Sequence, residues 1–106
     1  AKIAQGVPAE VPVMHGVISR ETAEAMATAA RRDLHADLGL GITGIAGGNE
    51  VEGQAPGTMH IALDDGTAIE YAYSRYYQGR EVAKRRAVLQ ALTLIRRYLM
   101  ARAARG

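Results

Sequence analysis

Gly41 to Glu50 reads Gly-Ile-Thr-Gly-Ile-Ala-Gly-Gly-Asn-Glu, and its residue types come closest to those of a binding site. Glycines let backbone N–H groups converge on an anion, and Thr43 adds a hydroxyl. The segment leaves an apolar run, and open α/β sheets seat ligands at the carboxyl ends of their strands. It is not a Walker A loop, because no Gly-Lys-Ser/Thr follows, and Gly44, Gly47 and Gly48 do not give GxGxxG. On residue types alone, a ligand-binding loop and a tight glycine-rich connection both stay open. Arg80 follows Gln78-Gly79 and precedes a helical pattern. Its planar guanidinium can clamp a phosphate with two bonds or form a surface ion pair. Ser19 reads as a helix cap rather than a nucleophile. His15, His35 and His60 are scattered, without a carboxylate cluster at motif spacing, so no metal site is expected. The chain has no Cys, which excludes a disulfide, a thiolate metal site and a thiol nucleophile.

These residues need a scaffold, and 106 residues with 48% hydrophobic content supply one domain. Residues 1–18 read as a helical end and a linker, punctuated by Gly6, Pro8, Pro12 and Gly16. Ser19 caps a helix expected over Arg20–Asp33, with Ala23, Met26, Ala27 and Ala30 as its apolar stripe. Leu38, Leu40, Ile42 and Ile45 alternate with glycines and predict a central strand over Asp37–Thr43. Residues 44–57, with five glycines and Pro56, form the loop that carries the candidate pocket. Thr58–Leu63 and Thr67–Ser74 read as a hairpin about Asp65-Gly66, the second strand half-exposed near the sheet edge. A long helix is expected over 81–101, with Ala87, Val88, Ala91, Leu92, Ile95 and Leu99 facing the core. Leu89 and Leu94 lie off that stripe, facing another subunit or solvent, and residues 101–106 should fray. Three strands and two helices cover both sheet faces thinly, so a missing N-terminal part or an intimate dimer is expected.

Charge is divided along the chain. Residues 1–74 hold four basic and ten acidic residues, net −6, while residues 75–106 hold nine basic residues against Glu81, net +8. Such a block attracts phosphate, nucleic acid or an acidic surface. The plainer reading is a helix with a basic wet face, since Trp and Phe are absent and no stacking platform accompanies it. Nucleic acid is therefore not the expected partner. Apolar runs are short, so no membrane span is expected. The chain opens at Ala1-Lys2-Ile3 with no Met, basic n-region or apolar h-region, as a processed product or an excised fragment would, and a cytoplasmic location is expected.

Three stretches carry a resemblance. His15-Gly16-Val17-Ile18-Ser19-Arg20-Glu21-Thr22-Ala23-Glu24-Ala25-Met26-Ala27, Thr43-Gly44-Ile45-Ala46-Gly47 and Gly57-Thr58-Met59-His60-Ile61-Ala62-Leu63 resemble the C-terminal domain of the CinA family. That family is named for competence/damage-inducible protein, and its members include nicotinamide mononucleotide deamidases. Arg80 to Leu99 is similar to the family's final helix, so the likeness spans nearly the whole chain. The resemblance implies a three-layer α/β/α sandwich with a mixed sheet, here incomplete at the N-terminus, and a homodimer. It also implies hydrolysis of the carboxamide of nicotinamide mononucleotide to nicotinate mononucleotide and ammonia, with no metal or cofactor.

The resemblance carries over residue by residue, with gaps. The family's nucleophilic serine lies in a Ser-x-Thr-Gly-Gly segment that this chain lacks, and its tyrosine has no counterpart. Lys2 matches the lysine that activates the serine. Thr43, Gly44, Ala46 and Gly47 match the loop that lines the nucleotide pocket, while Gly48 replaces a proline and loosens it. Arg80 matches the arginine of Gly-Asp-Arg, though Gln78-Gly79 precede it. Three readings follow. The chain is a deamidase domain without its nucleophile and inactive alone, a catalytically inert nucleotide-binding or structural relative, or a basic nucleic-acid module.

Overall fold

The computed structural model describes residues 7–105. Six elements follow one another: α1 (Glu10–His15), α2 (Arg20–Asp33), β1 (Gly39–Gly44), β2 (Thr58–Asp64), β3 (Ile69–Arg75) and α3 (Arg80–Arg105). The strands form one sheet in the order β1-β2-β3. Both pairings are antiparallel, so the mixed character expected of the sheet has no parallel pair among the described residues. Ala62 meets Ala23 and Ala27 of α2 on one face. Met59, Ile61 and Leu63 meet Ala87, Ala91 and Leu94 of α3 on the other. Alternate residues of one strand thus serve two helical layers, which makes the α/β/α sandwich.

The helix α2 keeps the expected bounds. Ser19 is extended (φ −157°, ψ 160°) and its Oγ accepts from Thr22 N, satisfying a first-turn donor. The alanine stripe lets α2 lie almost on the backbone of β1. A Cβ on Gly39 would overlap Ala27 O, and one on Gly41 would overlap Ala23 O. That contact revises one expectation. The centre of the sheet is β2, every residue of which is buried, and β1 is an edge among the described residues. Glycines marked a close approach, but the approach comes from a helix above β1 rather than from strands on both sides.

The hairpin forms as expected, with its turn wider by one residue and the second strand starting two residues later. Asp65 Oδ1 accepts from Thr67 N (2.8 Å) and Ala68 N (2.7 Å), and Asp65 N donates to Ala68 O. The strand β3 therefore opens at Ile69, and Gly66 takes φ 89° in the turn. Residues 10–15, expected within a linker, form a short helix. Pro12 sits in its first turn, where a missing N–H costs little.

The helix α3 differs in its ends and its face. It starts at Arg80 and stays helical to Arg105 instead of fraying beyond 101. Ala101, Arg102, Ala103, Ala104 and Arg105 are strong helix formers, and Arg102 Nη1 donates to the Tyr98 hydroxyl one turn earlier (3.1 Å). The buried stripe is Ala83, Ala87, Ala91 and Leu94, with Ile95 and Tyr98 at its margin. Val88 (53% exposed), Leu92 (55%) and Leu99 (54%), expected inside, are outside, while Leu94, expected outside, is fully buried. Leu89 is exposed as expected. The helix is apolar on two sides, and small alanines are chosen where it meets the sheet. Across the same sheet face, Leu40 of β1 also remains partly uncovered.

Candidate functional site

A cavity of about 460 Å³ opens where α2 begins and β1 ends. Val17 and Ile18 form one wall, Gly44–Gly47 a second, and Asn49, Val51 and Glu52 a third. Its volume falls in the range of about 300–1,000 Å³ that holds small ligands. Ile45 N donates to Thr58 O (2.8 Å) and Gly57 N to Ile45 O (2.8 Å), so the glycine loop departs from an anchored ladder. The next N–H groups, those of Ala46, Gly47 and Gly48, are not used by that ladder.

The segment Gly16–Ser19 is held by side chains from three directions. The Glu52 carboxylate accepts from Val17 N (3.0 Å) and Ile18 N (2.9 Å). Thr43 Oγ1 donates to Val17 O (2.8 Å), and Gln54 Nε2 donates to Ile18 O (2.6 Å). Gly16 O accepts from both Ser19 Oγ and Thr22 Oγ1. Glu52 and Gln54 reach this segment from a tight turn in which Val51 and Gln54 exchange backbone bonds. Glu52 (φ 53°) and Gly53 (φ 74°) are both left-handed there, the pattern of a type I′ turn. For Glu52 that conformation is unfavourable, so the two amides it binds help to hold it.

His60 continues the network. It is 8% exposed on β2, with Nδ1 2.7 Å from the Tyr71 hydroxyl and Nε2 3.4 Å from Gln54 Oε1. Since Gln54 turns its NH₂ to Ile18 O, its oxygen faces His60, and Nε2 is the donor. Nδ1 then accepts from Tyr71 in the neutral imidazole. Burial lowers the His60 pKa, against an opposing pull from Glu21, and so favours the neutral ring. Burial raises the Tyr71 pKa, although the Arg20 guanidinium, 4.4 Å above its ring, works the other way.

The expected site residues separate. Gly44, Ala46 and Gly47 line the cavity. Gly44 also has no room for a Cβ, which would overlap Met59 Sδ and Thr58 O. Thr43 is 3% exposed and spends its hydroxyl on Val17 O, one step behind the wall. Gly48 lies outside the lining, beside the Tyr77 hydroxyl. Arg80 is exposed in the first turn of α3 and does not line the cavity. Lys2 lies outside the described residues. Three residues that sequence reasoning passed over, Glu52, Gln54 and His60, shape the walls. The one local signal for them is Gly53 within the loop, which marks a turn without saying what the turn carries. Among the described residues no group of His, Asp or Glu is arranged to hold a metal, and no helix is long and apolar enough to cross a membrane.

Comparison with known proteins agrees with this fold. The family model described as CinA C-terminal domain matches residues 2–99. A CinA-like protein of Anaeromyxobacter sp. (strain K) is 43% identical over 93 residues, covering 86% of this chain and 22% of the relative. Among solved structures, the competence/damage inducible protein CihA from Agrobacterium tumefaciens superposes with a TM-score of 0.78 at 30% identity. The match covers 85% of this chain and 56% of that one. A competence-damaged protein (CinA) superfamily member from Enterobacter cloacae gives 0.79 at 27% identity, over 85% and 54%. The chain thus spans less than a quarter of that curated relative and a little over half of the two solved ones.

Proposed function

Because the chain belongs to the CinA C-terminal domain family, we propose that it is the nucleotide-cradling part of an amidohydrolase acting on nicotinamide mononucleotide. The observation that carries this reading is the cavity itself, walled by the glycine loop Gly44–Gly47 that the family resemblance assigns to the nucleotide pocket. Backbone N–H groups at Ala46, Gly47 and Gly48 suit a single phosphate, which needs a few oriented donors rather than a broad basic field. The family resemblance assigns Arg80 as a second phosphate partner, although it stands exposed in the first turn of α3 and outside the cavity lining.

Amide hydrolysis by a covalent route needs a nucleophile, a base beside it and an oxyanion hole. Among the described residues, the cavity lining holds no Ser, Thr, Cys or Lys. Ser19 is occupied as a cap, with its hydroxyl donating to Gly16 O. We therefore assign the serine to sequence beyond these 106 residues and Lys2 to the role of its base. The same lack of a nucleophile in the lining favours a second reading, an inert relative that binds the nucleotide without cleaving it. The apolar surface of α3 that no described residue covers supports a partner there, either further sequence of the same protein or a second copy in a homodimer.

Calorimetric titration of the 106-residue chain with nicotinamide mononucleotide, paired with an assay of ammonia release, tests the reading. Binding in the micromolar to millimolar range without ammonia release is the expected result. Failure to bind at millimolar concentration overturns the nucleotide assignment. Ammonia release by this chain alone overturns the assignment of the nucleophile.

A further inference from the structure

Among the described residues that line the cavity, Glu52 alone has an ionisable side chain. Its charge does not swing freely. Each carboxylate oxygen accepts one backbone N–H, Oε2 from Val17 and Oε1 from Ile18, and the left-handed turn beneath aims the side chain at that wall. A carboxylate oxygen accepts two hydrogen bonds, so about half of the capacity stays free for a ligand. The Ala46–Gly47 stretch of the glycine loop, with N–H donors the ladder leaves free, lines the same cavity. One part of the cavity therefore offers donors to an anion, and another holds a fixed negative charge with spare acceptor sites.

We infer that Glu52 is the specificity-determining residue of this cavity. It favours a mononucleotide whose ring is a cationic pyridinium with a neutral carboxamide, and it disfavours the same mononucleotide once the ring bears a carboxylate. The inference rests on the mononucleotide reading above and adds to it a means of telling substrate from product. With the phosphate on the loop amides, the ring is the part of the mononucleotide directed at Glu52, and its pyridinium charge is attracted to the carboxylate. A ring carboxylate adds a like charge on that side and weakens the complex, so the discrimination comes from a repulsive element as well as an attractive one. Glu52 is exposed to solvent, which screens the interaction, and the expected preference is about 3- to 10-fold.

The test is calorimetric titration with nicotinamide mononucleotide, nicotinate mononucleotide and ribose 5-phosphate. The unmodified chain is compared with Glu52→Gln, which removes the charge, and Glu52→Asp, which keeps it one methylene shorter. The expected result is a preference for the amide over the acid that falls toward unity in Glu52→Gln and survives in part in Glu52→Asp. Ribose 5-phosphate, which lacks the ring, should bind all three proteins alike. Amide signals of Val17 and Ile18 in a heteronuclear spectrum report whether each variant keeps the wall in place. A preference unchanged in Glu52→Gln overturns the inference while leaving the mononucleotide reading intact. An equal loss for all three ligands also overturns it, because Glu52 is then only a structural tie. If ribose 5-phosphate binds and neither mononucleotide does, the mononucleotide reading falls and the inference with it.

Discussion

Replacing Gly41 by Ala adds one methyl group where α2 leaves no space for it. The new Cβ would overlap Ala23 O, stand 2.7 Å from Ala27 N and 2.9 Å from Met26 Cβ. Two of those atoms belong to the helix backbone, so no side chain can rotate away. Restoring an ordinary separation of about 3.5 Å requires α2 to retreat by roughly 1 Å, enough to forfeit up to half of each dispersion contact it makes with the sheet. Ala23, Ala27 and Ala62, all fully buried, lose those contacts together. Overpacking of this kind costs about 3 kcal/mol. The narrower unfolded ensemble of Ala gives back about 0.4–1 kcal/mol. The net loss of about 2–2.6 kcal/mol lowers Tm by roughly 8–20 °C in a domain of this size. Thermal and urea unfolding followed by circular dichroism measure it. Gly47→Ala is the control, since its Cβ would meet nothing within 4 Å and it should stay within about 0.5 kcal/mol of the parent. Equal stability of the two variants would refute the claim that helix and strand meet backbone to backbone.

The two sides of α3 make opposite predictions. Leu94→Ala should cost about 2–5 kcal/mol on urea unfolding, whereas Leu92→Ala should cost under about 1 kcal/mol in the monomer. Self-association or docking through the uncovered face should appear as a concentration-dependent sedimentation coefficient that the paired change Leu92→Glu and Leu99→Glu abolishes. A monomer at every concentration before the change would argue against the homodimer. Acid stability should depend on Asp64. Burial pushes its pKa up, but Thr28 Oγ1 (2.6 Å), Gly66 N (2.8 Å) and the Arg31 guanidinium (3.2 Å) outweigh it and hold the folded value below the ordinary one. A folded pKa below the unfolded one gives stability that is present above the unfolded value and lost as pH falls through the folded value. Asp64→Asn should therefore cost about 1–2 kcal/mol near neutrality and converge with the parent in acid, by unfolding at a series of pH values.

What the sequence disclosed follows how local each signal is. The helix α2 is announced by its cap Ser19, and the hairpin by Asp65-Gly66, so both are legible within a few residues. The identity of the central strand is not. Thr58–Asp64 is buried on both faces, and the continuous run Met59-His60-Ile61-Ala62-Leu63 has that signature, but the glycine spacing of β1 drew the reading to its neighbour. Periodicity also cannot choose between two apolar sides of one helix, and in α3 the alanines rather than the larger Val88 and Leu92 meet the sheet. At the site, the glycine loop was legible because backbone exposure depends on residue type. Glu52 and Gln54 were not, because they act on Val17 and Ile18 across 34 to 36 positions, side chain to main chain. No pattern within either segment records that meeting.

The side-chain-free contact between α2 and β1 also governs how the cavity can move. With helix carbonyls set against strand glycines, neither element can slide or tilt without the other, and the pair behaves as one lever. Its helix end begins directly after the Val17–Ile18 wall, and its strand end runs into the Gly44–Gly47 wall. The two walls are thus tips of a single rigid piece, and a ligand need not draw them together on arrival. The third wall, the turn bearing Glu52, is tied to Val17 and Ile18 by three hydrogen bonds, so it is held to the same piece. Most of the ordering cost of binding has then already been met in folding.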